Sequence, residues 1–358
     1  MSELKRWDIF CKVVDNFGDI GVCWRLARQL HLDHGLEITL WINDLSAAQA
    51  IIPILDITKN QQVCDEINIL NWNENADFSK AAEVVIEAFA CGLPDAYLAA
   101  MVQQQSKWVN LEYLSAESWV EDFHAKPSPQ PNLGLTRHFY FPGFTEATGG
   151  LIRERSIAFS NQQDKTSHNL KVSLFGYPHA PIHDLLTALQ ANNRGVAVYV
   201  PASGILPQIA SFFGKDSIKV GEKLSKGNLT VEVLPFLSQA KYDQLLHDCD
   251  INFVRGEDSW VRAIWAGKPF IWQPYFQTED THFTKLNAFL ALFYEDFDEK
   301  EVLCKAHQYW SAGQLPKDVW NGYLEHLQDI KTYTFQQAQR LAKLPDLASK
   351  LVIFCNKI

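Results

Sequence analysis

The seven cysteines (Cys11, Cys23, Cys64, Cys91, Cys249, Cys304 and Cys355) include no C-x-x-C pair. An odd, scattered set of this kind excludes a disulfide framework and a zinc ribbon. The H-E-x-x-H zinc signature, the G-x-S-x-G elbow, the Walker A loop and the G-x-G-x-x-G fingerprint are all missing, so the common local motifs for metal hydrolysis, acyl transfer, nucleoside triphosphates and dinucleotides are not in play. No stretch reaches the ~18–20 uninterrupted apolar residues of a membrane span. The first ten residues, MSELKRWDIF, lack the apolar core of a signal peptide, and the expected compartment is the reducing cytoplasm. No long Lys/Arg block is present and the formal charge is 32 minus 42, or −10, which argues against broad binding to nucleic acid or anionic membranes.

What remains is a chain rich in packing material. With 358 residues, 47% of them hydrophobic and 12% aromatic, it can bury enough apolar surface to offset chain entropy. Its length exceeds the roughly 250–300 residues that one core organises, so two domains are expected.

Residues 7–14 read as a strand, 15–19 as a turn, 21–30 as a helix with apolar residues at helical spacing, and 36–42 as a second buried strand. That succession is the βαβ unit of a parallel sheet. Strands are expected again near 82–90 and 108–113, and the proline-rich residues 126–132 read as an exposed loop. After a polar stretch at 160–169 the alternation restarts: strand 172–177, helix 182–190, strand 196–201, strand 229–237, helix 239–247, strand 251–254, a helix from Ser259, strand 269–273, then mostly helix from Thr281. The expected fold class is α/β with two doubly wound domains facing each other across a cleft. They are placed at residues 1–162 and 163–358, with the option that the terminal helices pack back on the first domain. Ligands of open α/β sheets bind at the carboxyl ends of the strands, so the βα loops are where chemistry is read.

The first such loop is Asp15-Asn16-Phe17-Gly18-Asp19-Ile20-Gly21. Two carboxylates at a helix start repel a phosphate but suit a cationic acceptor or a general base. The plainer alternative is a turn-forming Asp15 and an Asp19 favoured by the helix dipole. The second is Arg255-Gly256-Glu257-Asp258-Ser259. Arg255 offers a planar fork for phosphate oxygens, Gly256 lets the backbone approach, and Asp258, Ser259 and the helix N–H groups can hold a nucleotide diphosphate. The third, Gln273-Pro274-Tyr275, together with Phe175, Tyr177 and Phe236, gathers rings and an amide suited to a nucleobase. Two D-x-D triplets, Asp248/Asp250 and Asp296/Asp298, are read as structural rather than metal-holding.

The segments D-N-F-G-D-I-G and R-G-E-D-S-W-x-R-A-x-W-A-G-K-P-F-x-W-Q-P-Y, with N-L-E-Y-L-S-A-E at 110–117 and F-P-G-F-T at 141–145, resemble the EarP family of bacterial protein-arginine rhamnosyltransferases over nearly the whole chain. The resemblance implies a GT-B fold, with the protein acceptor on the N-terminal domain and the sugar nucleotide on the C-terminal one. It implies transfer of rhamnose from dTDP-β-L-rhamnose to one arginine of translation elongation factor P, with inversion, without metal or other cofactor. It makes Asp15, Asp19 and Glu257 the essential acids. Phe175, Tyr177, Phe236, Arg255, Asp258, Ser259, Gln273 and Tyr275 become the donor site, and Asn16, Phe17, Gly18, Gly21 and Gly256 shape the loops. Asp19 is expected as base, Asp15 as a holder of the acceptor or the loop, and Glu257 as an orienting group. Two rivals stand beside this reading: a sugar-nucleotide epimerase or a glycosyltransferase with a small acceptor, and a non-catalytic partner of a translation factor.

Overall fold

The computed structural model describes residues 5–14, 17–155, 157 and 169–358. The chain divides into two compact units, residues 1–157 with 342–358 and residues 158–341.

The first unit begins β1 (Arg6–Cys11), α1 (Gly18–His34), β2 (Glu37–Ile42). Trp7, Ile9, Phe10 and Cys11 of β1 are at most 1% exposed, as expected of a central strand covered on both faces. Asp19 sits in the first turn of α1, where a carboxylate complements the helix dipole. The helix stops where Gly35 takes φ 66 and returns its N–H to His31 O at 2.8 Å. There follow α2 (Leu45–Ile51), the antiparallel pair β3 (Gln61–Cys64) and β4 (Ile67–Asn71), β5 (Val84–Ala88), α3 (Asp95–Gln104), β6 (Lys107–Leu111), α4 (Trp119–Phe123), β7 (Pro127–Gln130) and β8 (Leu135–Tyr140). The sheet order is β3-β4-β2-β1-β5-β6-β8-β7, parallel except at its two outer pairs.

Residues 126–132, expected to be a loop, contain the edge strand β7, antiparallel to β8. An edge strand needs only one row of ladder hydrogen bonds, so it tolerates Pro127 and Pro129 where a central strand would not.

The second unit runs β9 (Leu170–Leu174), α5 (Ile182–Gln190), β10 (Val196–Pro201), α6 (Leu206–Phe212), β11 (Lys223–Lys226), β12 (Leu229–Leu234), α7 (Gln239–Asp248), β13 (Ile251–Arg255), α8 (Asp258–Ala266) and β14 (Phe270–Gln273). Four helices complete it: α9 (Thr281–Phe293), α10 (Lys300–Ser311), α11 (Lys317–Glu325) and α12 (Leu327–Leu341). Its sheet is ordered β11-β12-β10-β9-β13-β14, parallel except for β11. The stack of Trp260 on Trp272, centroids 3.7 Å apart at 10°, closes α8 onto β14.

The last helix, α13 (Leu347–Cys355), belongs to the first unit and packs on α1. The second unit therefore ends at Leu341 rather than at the C-terminus, and the expected boundary at 162/163 falls outside the described residues. Asp346 caps α13 by accepting the Ser349 N–H at 2.9 Å and also accepts Gln29 Nε2 of α1 at 2.9 Å. The same carboxylate thus starts α13 and ties it to α1.

All seven cysteines are free thiols. Among the described residues no helix is long and apolar enough to cross a membrane.

Candidate functional site

In each sheet the strand order reverses direction beside the first strand: between β1 and β5 in one unit, between β9 and β13 in the other. Such switch points open a crevice at the carboxyl ends of the two strands.

In the second unit the switch point is built around Arg255. Phe175 N–H donates to Phe253 O at 3.0 Å, which sets the residue following β9 beside β13. The Arg255 guanidinium then lies over two rings, 4.5 Å from the Phe175 centroid and 4.4 Å from that of Tyr177. This holds a cation in place without cancelling its charge. Ser259, in the first turn of α8, accepts the Arg255 N–H at 3.0 Å and donates to Arg255 O, so the backbone of the arginine is locked by the helix it precedes. Gly256 takes φ 62, conformational space that suits glycine. Its N–H donates to Gln273 O at 3.1 Å, and its carbonyl accepts Trp272 Nε1 at 2.7 Å. The Gln273 side chain, fully buried, accepts the Tyr177 N–H through Oε1 at 3.0 Å, which fixes its amide with Nε2 as the free end. Arg255 Nε and Gln273 Nε2 are both buried N–H groups with no acceptor among the described residues. At the carboxyl edge of the sheet such donors can serve a ligand rich in acceptors.

Tyr275, 47% exposed, meets the Tyr177 ring edge-on at 5.8 Å. Phe236, half-buried, follows β12 on the same carboxyl edge of the sheet. Glu257 occupies the N-cap position of α8 without capping it by its side chain. Asp258 is engaged inside the protein: Arg262 Nε donates to its Oδ2 at 2.8 Å and Gln239 Nε2 at 3.5 Å. Burial raises the Tyr242 hydroxyl well above its usual range beside this cluster.

In the first unit the corresponding edge carries Asp19, 2% exposed. Its Oδ2 accepts the Val14 N–H at 2.8 Å and its Oδ1 the Tyr113 hydroxyl at 3.3 Å. Phe17 precedes α1 and accepts the Gly21 N–H at 2.9 Å, with Gly18 as the first helical residue. Asp15 and Asn16 lie outside the described residues. Tyr113 stacks on Phe89 at 4.2 Å and 10°. Phe89 and Ala90, just past β5, both adopt left-handed backbone, φ 59 and 51, a strained conformation of the sort that accumulates at functional edges. Buried polar groups hold it. Asn110 Oδ1 accepts the Ala90 N–H at 3.1 Å and Glu87 Oε1 the Gly92 N–H at 2.9 Å. Burial raises the Glu112 carboxyl, which accepts Asn110 Nδ2 at 2.5 Å.

The structure therefore gathers Phe175, Tyr177, Arg255, Gly256, Ser259, Gln273 and Tyr275 at one switch point, and sets Asp19 at the other. Tyr113 and Phe89 in the first unit and Arg262 and Asp243 in the second also take part, though no motif in the sequence marks their roles. The i,i+4 spacing of Asp258 and Arg262 was a readable signal, whereas the partners of Tyr113 and Asp243 depend on tertiary contact. His179 and His183 stand four residues apart with Pro181 between them. Their rings turn to Tyr177 and Phe212 respectively. Asp250 accepts the Lys171 N–H at 2.8 Å and Asp248 accepts Gln244 Nε2 at 2.8 Å, so the first D-x-D triplet is tied into the fold. Among the described residues no group of three or more His, Cys, Asp or Glu could hold a metal ion.

A family model described as elongation-factor P (EF-P) rhamnosyltransferase EarP matches residues 7–356. A protein-arginine rhamnosyltransferase of Pseudomonas putida is 42% identical, covering 97% of this chain and 98% of its own. The solved structure for EarP-mediated arginine glycosylation of translation elongation factor EF-P superposes with TM-score 0.68 at 30% identity, covering 98% of this chain and 99% of the other. Acinetobacter baumannii MurG matches in fold, with TM-score 0.54 at 14% identity over 99% of this chain and 100% of its own. The two doubly wound units are those of a GT-B glycosyltransferase. The chain belongs to the EarP family of rhamnosyltransferases.

Proposed function

We propose that the protein transfers rhamnose from dTDP-β-L-rhamnose to one arginine side chain of translation elongation factor P, with inversion at the anomeric carbon and without a metal ion. Modified in this way, the factor becomes competent to rescue ribosomes stalled at polyproline. The observation that carries the reading is Arg255. A guanidinium held over two rings, with a buried Nε that has no acceptor among the described residues, stands just before the N-terminus of α8, where helix N–H groups favour an anion. That is the local charge a departing pyrophosphate needs. Gln273 Nε2 offers one fixed donor to a carbonyl such as those of thymine, and Phe236 supplies a ring for stacking.

Arginine is a poor nucleophile because it stays protonated below about pH 12 and its lone pairs are delocalised. Asp19 answers both difficulties. It binds the acceptor guanidinium as an ion pair and takes a proton from the attacking nitrogen as that nitrogen bonds to the anomeric carbon. The bond from that carbon to the diphosphate oxygen breaks with its electron pair, and dTDP leaves toward Arg255. Asp15 holds the acceptor or the loop, and Glu257 orients the sugar or diphosphate, since inversion requires attack from the face opposite the leaving group.

Mass spectrometry of purified protein, dTDP-rhamnose and elongation factor P tests this. One deoxyhexose on arginine is expected. Donor consumption without a modified protein would favour an epimerase or a small acceptor, and a complex without added mass would favour a binding partner.

A further inference from the structure

We propose that Arg262 is a positioning residue for the donor: it neutralises Asp258 at the mouth of α8, so that Arg255 and the helix N-terminus can receive an anionic diphosphate. The inference rests on the donor-site reading above. Arg262 lies one helical turn beyond Asp258, and its side chain is 2% exposed. Nε donates to Asp258 Oδ2 at 2.8 Å, while Nη1 reaches both carboxylate oxygens of Asp243 in α7 at 2.8 and 2.7 Å. Nη2 is buried with no acceptor among the described residues.

Counted by charge, residues 255–261, which lead into and form the first turn of α8, present Arg255 against Glu257 and Asp258. Without a further cation that turn is acidic, and the partial positive charge of a helix N-terminus, roughly half a unit, is more than cancelled. Arg262 offsets one of these acids from below, sharing its charge between Asp258 and Asp243. A lysine would supply the charge, but without the fixed angle at which the guanidinium presents Nε to Asp258 and Nη1 to Asp243. A buried ion network adds little net stability over a well-packed apolar core, so folding alone gives weak reason to place one beneath this turn.

Calorimetric titration with dTDP, and donor KM and kcat, on wild type, R262Q, R262K, D243N and R255A test the assignment. R262Q is expected to bind dTDP about tenfold more weakly, a difference of about 1.4 kcal/mol, with donor KM rising more than kcat falls. R262K restores charge without the fork and returns to within about threefold of wild type, while D243N, which removes a negative charge, binds dTDP more tightly. Unchanged affinity in R262Q overturns the proposal. So does equal weakening in R262K and D243N, which would make Arg262 a scaffold. If R262Q does not fold, those two variants decide, because charge and fork separate in them. R255A distinguishes the two levels: if it binds dTDP normally the donor-site reading itself fails, whereas a weakened R255A beside an unaffected R262Q removes only the role of Arg262.

Discussion

Replacing Asp19 by Asn removes the proposed base while keeping nearly the same shape. The Asn carbonyl oxygen can still accept the Val14 N–H, now 2.8 Å from Oδ2. The amide nitrogen, in the place of Oδ1, can accept nothing from the Tyr113 hydroxyl, now 3.3 Å from Oδ1, and that hydroxyl must turn to accept instead. Trading a charge-assisted bond for a neutral one costs about 1 kcal/mol of fold stability. Loss of a general base costs about 10²–10⁴-fold in rate, or about 3–5 kcal/mol of barrier. The rate effect therefore exceeds the stability effect several-fold, and the two can be separated. Single-turnover transfer to elongation factor P, followed by mass spectrometry at saturating donor, should fall at least about a hundredfold, while dTDP affinity stays at the wild-type value. Transfer within tenfold of wild type would remove Asp19 from the base role.

Arg255→Ala should weaken dTDP about tenfold or more, since charge-assisted contacts contribute about 1.5–3 kcal/mol each; Arg255→Lys, with charge but no planar stack on Phe175 and Tyr177, should fall between, as read by calorimetry. Gln273→Glu places a carboxylate oxygen where Nε2 is buried with no acceptor among the described residues, and should weaken dTDP by a similar factor; unchanged binding would show that the amide faces no part of the nucleotide. His307 is fully buried, with Nδ1 3.0 Å from Leu303 O, and burial lowers its pKa from 6.5 to about 4. The unfolded chain thus takes up a proton near 6.5 that the folded protein refuses until about 4, so stability present at neutral pH is lost as pH falls through that window. Denaturant titrations of His307→Gln should show a shallower loss; identical slopes would rule His307 out as a source. Asp346→Ala removes the α13 cap and the Gln29 contact together, and should cost about 1–2 kcal/mol in the same assay.

Much of the architecture was legible in local pattern. The strands around 7–14 and 251–254 and the helix at 182–190 announce themselves because central parallel strands are apolar throughout and amphipathic helices repeat every three to four residues. The edge strand β7 was not legible, because Pro127 and Pro129 are turn formers whose acceptance depends on lying at the sheet margin. The sequence leaves the return of α13 to the first unit open, since a short apolar helix carries no mark of the core it joins. At the site, Arg255 and Ser259 could be picked out from one compressed loop. What their side chains do could not: Ser259 grips the arginine's own backbone and Asp258 answers to Arg262. Tyr113 stood in plain view in N-L-E-Y, but its link to Asp19, 94 residues away, exists only in the folded chain.

The place of the bound diphosphate is the most direct test. A crystal structure with bound dTDP should place the two phosphates against Arg255 and the first-turn N–H groups of α8, with thymine within reach of Gln273. Diphosphate density against Asp19 and Tyr113, with Arg255 untouched, would contradict it.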